Sequence, residues 1–313
     1  MLVSDIATLL NYEMVGDDYD INGISWYDEA REEDIAVITK SDDIFSTRAK
    51  VVLTKPIILP TNKTFLITYE NVECALVKIC NVFIKNNLMH DFSIPTKYVL
   101  TDYGYHVGEN CKIGINAVVQ PNVFIGDNVI IGDYCVIEPF TLIGSGTVIG
   151  TGVHIGSGSR IGVPSFYHYY EDGVIYQFGG CGIVKIGEYT HIGNNTIVQR
   201  GTISNTIIGN RCMIGNCIDI GHDVKIGNNC KIVSQVGIAG NSMLKNDVVV
   251  YGQAGITNNV VIGNNVIVKA KTSVCKSIDD NEVIGGAFGR SYIDEMKLTA
   301  KIRQFFTERK REI

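Results

Sequence analysis

The stretch VGENCKIGINAVVQPNVFIGDNVIIGDYCVIEPFTLIGSGTVIGTGVHIGSGSRIG, residues 107–162, decides how this chain folds. From Val107 an aliphatic residue returns every six positions, at Ile113, Val119, Ile125, Ile131, Ile137, Ile143, Ile149, Ile155 and Ile161, without a slip. Gly usually follows the aliphatic residue, and a small residue often fills the fifth slot. Such a hexapeptide period is the signature of a parallel β-helix. Each unit makes a short strand and a corner, and three units close a triangular coil of about 18 residues. The aliphatic slot points inward and stacks on its equivalents in the coils above and below. Pro121 and Pro139 take the third slot, a turn position where no ladder donor need be lost.

Outward from this stretch the phase breaks, resumes at Ile186, Ile192 and Val198, then shifts by four residues and runs from Ile208 through Ile214, Ile220 and Ile226 to Val274. About 25 units predict roughly eight coils and a prism roughly 40 Å tall. Two interruptions stand out. VPSFYHYYEDGVIYQFGGCG, residues 163–182, leaves the repeat, is dense in aromatics and should project as a loop or hairpin. The four-residue shift near Ser204–Ile207 reads as a bulge at one corner.

The ends lack the hexad. Residues 1–95 read as a small α/β module. SDIATLL is a capped short helix, AVIT and VVLT are strands, and NVECALVKICNVFI is an apolar-striped helix. Residues 96–286 form the prism, and residues 287–313 an amphipathic helix with Ile293, Met296, Ala300 and Phe306 on one face. Lys297, Lys301, Arg303, Arg309, Lys310 and Arg311 make that helix basic. It either covers the prism end or docks an acidic carrier. The fold class expected is mainly β, a parallel β-helix with a small N-terminal α/β domain and a C-terminal helix.

Composition bounds the function. The 313 residues are 45% hydrophobic and 19% charged, with a net charge of −6, so nothing global recruits nucleic acid or an anionic membrane. The first residues lack a basic segment before their apolar run, so no signal peptide is expected, and no membrane span is long enough. Nine cysteines without a C-x-x-C pair fit neither a disulfide framework nor a zinc ribbon. Cys111, Cys135, Cys212 and Cys230 share the fifth slot and read as inward-packed thiols, which suits a reducing cytoplasm.

A hexapeptide prism can serve an acyltransferase, a γ-class carbonic anhydrase or a structural assembly. Of the six histidines, His106, His154 and His191 share slot six without an H-x-x-x-x-H pair, so no metal site is expected. His222, in CIDIGHDVKIG (residues 217–227), alone sits in slot three of a regular unit. One coil further on lies Gly240, in VGIAGN. Acyl transfer from a thioester to an amine needs a base near neutral pH, an oxyanion donor and a groove for the pantetheine arm. His222 suits the first and the Gly240 N–H the second.

The chain resembles the UDP-3-O-acylglucosamine N-acyltransferases of lipid A biosynthesis over nearly its whole length. The residues that carry the likeness are INGISWYDEAREEDIAVIT (21–39), HIGNNTIVQRGTISNTIIGN (191–210), IGHDVKIGNNCKIVSQVGIAGN (220–241) and VKAKTSVCKSI (268–278). The resemblance implies a left-handed prism, with His222 as general base and Gly240 as oxyanion donor. It also implies an N-terminal module that grips a uridine nucleotide, a C-terminal helix that engages acyl carrier protein, and a homotrimer with active sites between neighbouring prisms. The acyl donor would be a thioester of phosphopantetheine, on acyl carrier protein or CoA, with no tightly bound cofactor.

Several positions depart from that pattern. Gly215 replaces an acid seven residues before the base, with Asn216 following, and Asp223 could orient His222 instead. Asn259 stands where a second histidine is usual, and Gln199-Arg200-Gly201 replaces a D-R-G sequence. Val37, Lys40 and Asp43 occupy the uracil-pocket positions, and Tyr167, His168 and Tyr169 replace loop glycines. Asn216, Asp223, Asn259, Gln199, Arg200, Tyr167, His168 and Lys40 are therefore the candidate substrate contacts. The base and oxyanion positions survive while substrate contacts change. The expected acceptor is the amine of a nucleotide-activated aminosugar. Two alternatives are a short-chain acyl-CoA enzyme acting on a nucleotide-linked 3- or 4-amino deoxysugar, and a non-catalytic nucleotide-sugar-binding assembly.

Overall fold

The structure, a computed structural model, describes residues 1–38, 44–56, 62–89, 91–92, 96–285 and 291–309. The aliphatic slots do what their period demands. Three sheets of ten, eight and nine strands, most only two residues long and all parallel but for the first strand of the ten (Val99–Leu100), form the faces of a β-solenoid. Register is set by the repeat: Ile125 pairs with Ile143 and Ile131 with Ile149, each 18 residues on. The inward column is dry, with Ile125, Ile137, Ile143, Ile155, Ile192, Ile220, Val250 and Ile262 fully buried.

Corners are made by the fourth slot. Asn110, Asn116, Asn122, Asn128, Asn195, Asn229 and Asn241 all hold φ between 53° and 58°, except Asn122 at 62°. Asn enters this left-handed region more readily than other non-glycine residues. Cys135, Cys212 and Cys230 are buried in the fifth slot, where each thiol donates to a backbone carbonyl, Gly150, Gly227 and Lys245 respectively. Cys111 is only half-buried.

Both interruptions leave the inward column paired, with one bulge between Ile161 and Val163 where the insertion begins. Ile149 pairs with Ile186 across the insertion, and Ile186 with Ile208 across the four-residue shift. Thereafter Ile208 pairs with Ile226 and the regular coil resumes.

The N-terminal module is a five-stranded sheet. Its strands are β1 (Glu13–Val15), β2 (Gly23–Trp26), β3 (Asp34–Val37), β4 (Val51–Thr54) and β5 (Thr64–Ile67). They lie in the order β1-β5-β4-β3-β2, all parallel except β1. Helices α1 (Val3–Leu10) and α2 (Val72–Lys85) pack against it through Val3, Ile6, Leu76, Ile79 and Phe83. Asn71 caps α2 by accepting from the Glu73 N–H. Helix α1 has no side-chain cap, because Ser4 lies inside it and its hydroxyl donates to Asp18.

Residues 163–182 form a hairpin rather than an open loop. Strands β6 (Tyr167–Glu171) and β7 (Val174–Phe178) are antiparallel and turn at Asp172-Gly173, both at positive φ. The hairpin docks on α2. The Cys74 thiol donates to the Tyr170 carbonyl, and Lys78 pairs with Glu171 at 3.0 Å and Glu70 at 2.5 Å. Phe178, Cys181 and Ile203 join the core of the N-terminal module, so hairpin, shift and module pack as one cluster.

Helix α3 (Tyr292–Arg309) starts at Ser291, whose hydroxyl accepts from the Asp294 N–H. Among the described side chains its expected apolar face is not buried: Ile293, Met296 and Ala300 are exposed, while Leu298 and Thr299 are half-buried. The side chain of Phe306, and residues Lys310 and Arg311, lie outside the described residues. Among the described residues no helix is long and apolar enough to cross a membrane.

Candidate active site

His222 stands at the corner after the strand Asp219–Ile220, and its side chain is only 13% exposed. Its Nδ1 lies 2.8 Å from Asp223 Oδ2. Asp223 occupies the left-handed corner slot, φ 58°, and is buried. Three donors converge on its carboxylate. The Thr202 N–H lies at 3.0 and 3.1 Å from the two oxygens, the Thr202 hydroxyl at 2.5 Å and the Ser204 N–H at 3.1 Å. The Asp223 N–H itself donates to Thr206 Oγ1 at 2.9 Å. These partners all sit in the four-residue shift, so the slip in the repeat is what builds the carboxylate cradle. A carboxylate so held, acceptor to His222, fixes the proton on Nδ1 and leaves Nε2 as the free base.

Gly240 lies where the 18-residue arithmetic puts it. A Cβ at this glycine would fall 2.5 Å from His222 Cε1 and 2.6 Å from Nε2, so only glycine fits above the imidazole. Its place also breaks a ladder. At a neighbouring corner each third-slot N–H donates to the side chain one coil above, Asn210 to Asn228, Asn228 to Asn246 and Asn246 to Asn264. Above His222 the acceptor position is Gly240, which has no side chain. Above Gly240, the Asn258 Oδ1 accepts from the Thr257 hydroxyl. The Gly240 N–H thus has no protein acceptor among the described residues, beside a histidine whose Nε2 faces it.

Two cavities meet at this pair. One, of about 490 Å³, lies between the N-terminal module and the prism. It is lined by Trp26, Tyr27, Asp28 and Glu29 on one side and by Asn241, Ser242, Asn258 and Asn259 on the other. Lys225 braces the junction, paired with Glu29 at 2.7 Å and donating to the Asn205 carbonyl at 2.7 Å. The second cavity, of about 530 Å³, runs over an outer prism face past Gln199, Asp219, Gly237, Gly255, Ser273 and Cys275. Gly237 and Gly255 would have nothing within 4 Å of an added Cβ, so the absent side chains open the groove. Phe166, His222 and Gly240 line both cavities.

The other sequence-predicted residues divide. Tyr167 packs edge-on to His222, ring centroids 5.7 Å apart at 90°, and burial pushes its hydroxyl well above the usual tyrosine range. His168 lines the first cavity and is exposed. Asn259 lines the first cavity, and Gln199 lines the second while accepting from the Phe166 N–H at 2.9 Å. Asp223 borders the first cavity, but its carboxylate is spent on His222, Thr202 and Ser204.

Two of the predicted residues lie away from both cavities. Arg200 is 5% exposed and lines neither cavity. Its guanidinium donates twice to the Gly162 carbonyl and stacks 3.8 Å from the Phe92 ring centroid, and burial pulls its pKa down to about 10. Asn216 also lies away from the cavities, in a corner ladder, accepting from the Asn194 N–H. Lys40 lies outside the described residues, as does Asp43. Val37, at another uracil-pocket position, is buried in β3. Sequence reasoning did not single out Phe166, Thr202 or Ser204, though Phe166 lies in the aromatic insertion 163–182 and the other two lie at the four-residue shift. The Trp26–Glu29 wall lies within residues 21–39, the stretch whose resemblance implied a nucleotide-gripping module.

His154 and His191 meet edge to face, centroids 4.7 Å apart, on a different face, and Glu138 meets His154 Nε2 at 2.8 Å. The hydrogen bond to His154 holds the Glu138 carboxyl below its usual range.

The family model that matches is the bacterial transferase hexapeptide (six repeats), over residues 104–139, 128–162 and 205–240. The last match contains His222 and ends at Gly240. Over 74 residues the chain is 47% identical to the UDP-3-O-acylglucosamine N-acyltransferase of Rickettsia canadensis, covering 24% of this chain and 22% of the relative. It is 46% identical over 117 residues to the enzyme of the same name from Rickettsia akari, 37% of this chain and 34% of the relative. The chain therefore matches between about a fifth and a third of the length of these relatives. Among solved structures it is similar to the Francisella novicida UDP-N-acetylglucosamine acyltransferase. That likeness has a TM-score of 0.55 at 25% identity and covers 60% of this chain and 67% of the other. The Moraxella catarrhalis UDP-N-acetylglucosamine O-acyltransferase, TM-score 0.54 at 23% identity over 62% of this chain and 76% of the other, shares the fold.

Proposed function

We propose that the protein is an N-acyltransferase that moves an acyl group from a phosphopantetheine thioester to the amine of a nucleotide-linked aminosugar. The observation that carries this reading is the pairing of His222 Nε2 with an acceptor-free Gly240 N–H one coil above, backed by buried Asp223. His222 takes the proton from the attacking nitrogen as the N–C bond forms. The Gly240 N–H donates to the carbonyl oxygen as it becomes an oxyanion. Collapse breaks the C–S bond, and the proton returns to the leaving thiolate. Asp223 stabilises the imidazolium formed between these steps.

The two cavities suit two substrates. The polar one, against the N-terminal module, suits the sugar nucleotide, with Trp26 and Tyr27 as aromatic surface for a base. The glycine-floored groove suits the thin arm of the thioester. Homotrimeric assembly and a cytoplasmic location belong to the same proposal.

A second acceptor class to be tested is a nucleotide-linked 3- or 4-amino deoxysugar with a short-chain acyl-CoA. Val37, at a uracil-pocket position of the resemblance, is buried in β3 and offers a nucleotide no contact. A matrix of sugar nucleotides against acyl-CoA and acyl-carrier-protein donors, read by mass spectrometry, separates the two. Within the active pair, His222→Ala should lower kcat by about 10²–10⁴ and leave the fold intact. Wild-type turnover by that variant would remove His222 from the mechanism.

A further inference from the structure

We infer that Tyr167 is a positioning residue for His222, its ring closing on the imidazole edge-on and, with Asp223, holding Nε2 toward Gly240. A histidine at a solenoid corner is ordinarily free to change rotamer. This one is restrained at Nδ1 by Asp223, 2.8 Å away, and its ring is packed by Tyr167. The restraint comes from outside the repeat. Tyr167 opens β6 and pairs with Phe178 across the hairpin, and Phe178 is buried with α2 in the core of the N-terminal module.

The hairpin is pinned at both ends. Near the prism, the Ser165 hydroxyl donates to the Phe178 carbonyl at 2.6 Å and the Phe166 N–H to Gln199 at 2.9 Å. Near its tip, Cys74 and Lys78 of α2 hold Tyr170 and Glu171. The position of the base is thereby referred to the N-terminal module, which also walls the polar cavity. Burial, with Glu73 and Asp223 nearby, keeps the Tyr167 hydroxyl protonated, so the ring and not a phenolate does the positioning.

The catalytic consequence rests on the reading of His222 as base, but the geometry can be tested without turnover. In protein labelled with ¹⁵N-histidine, the imidazole resonances of His222 report its tautomer. Wild type and Tyr167→Phe should both show a single Nδ1–H tautomer; in Tyr167→Leu the unpacked ring turns away from Asp223, loses the bond that fixes its proton, and averages the two. On the active substrate pair, Tyr167→Leu should lower kcat by about tenfold to a hundredfold with KM changed less than about twofold, and Tyr167→Phe should restore it.

The inference is overturned by a Tyr167→Leu protein with the wild-type tautomer signal. It is equally overturned by an effect confined to KM, or by a Tyr167→Phe protein as slow as Tyr167→Leu. If Tyr167→Leu does not fold, Tyr167→Met carries the same comparison. Should no donor and acceptor pair turn over with wild type, the acyltransfer reading falls while the tautomer comparison still decides the role of Tyr167.

Discussion

Asp223 shows how much one side chain can be asked to do. Its carboxylate accepts from two backbone N–H groups and a hydroxyl while holding His222. Asp223→Ala leaves the buried Thr202 and Ser204 donors unsatisfied, at about 1–3 kcal/mol for each group. Urea unfolding should show that loss, and kinetics should show a fall in kcat with it. Gly240→Ala is expected to act differently. Its methyl would press on the imidazole at 2.5 Å, lowering kcat by displacing His222. Arg200→Lys tests whether that buried guanidinium is structural. Lysine cannot keep both bonds to Gly162 and the flat stack on Phe92, so the melting temperature should fall while KM stays put. The sequence period was enough to align His222 with Gly240, because a coil is a ruler. It could not show the cradle of Asp223, since Thr202 and Ser204 reach it only through a slip that breaks the ruler. Asn216 was marked by its place beside Gly215, seven residues before His222, and distance along the chain says nothing of which side chain faces a cavity.

At the scale of elements, the hairpin and α2 behave as one unit. Asn71→Ala should cost about 1 kcal/mol by uncapping α2, seen as a lower midpoint in denaturant. Strand pairing in the hairpin was legible as a departure from the hexad rich in aromatics, with Asp-Gly at its turn. Its docking on α2 was not, because the contacts join residues about a hundred positions apart, such as Cys74 and Tyr170. Helix α3 was legible in extent but not in burial. Ile293, Met296 and Ile302 are exposed and its charge is basic, which suits an acidic carrier as partner. Removing residues 291–313 should therefore weaken turnover with acyl carrier protein donors while leaving acyl-CoA turnover near wild type. Equal loss with both donors would count against carrier docking.

For the whole molecule, stability resides in columns of like side chains rather than in one central core. Ile226, 2% exposed, stacks between Ile208 and Leu244. Ile226→Ala should cost about 2–5 kcal/mol, measured by denaturant unfolding, because neighbouring coils cannot move inward to fill the cavity. The regular stacking also has a geometric consequence. Every coil adds roughly 4.8 Å along the axis. Height between the His222 corner and the C-terminal helix is therefore quantised. Lineages of such a chain can lengthen or shorten that span only in whole coils, whereas smaller insertions, like those at 163–182 and near 204–207, must leave the axis sideways and become walls or cradles.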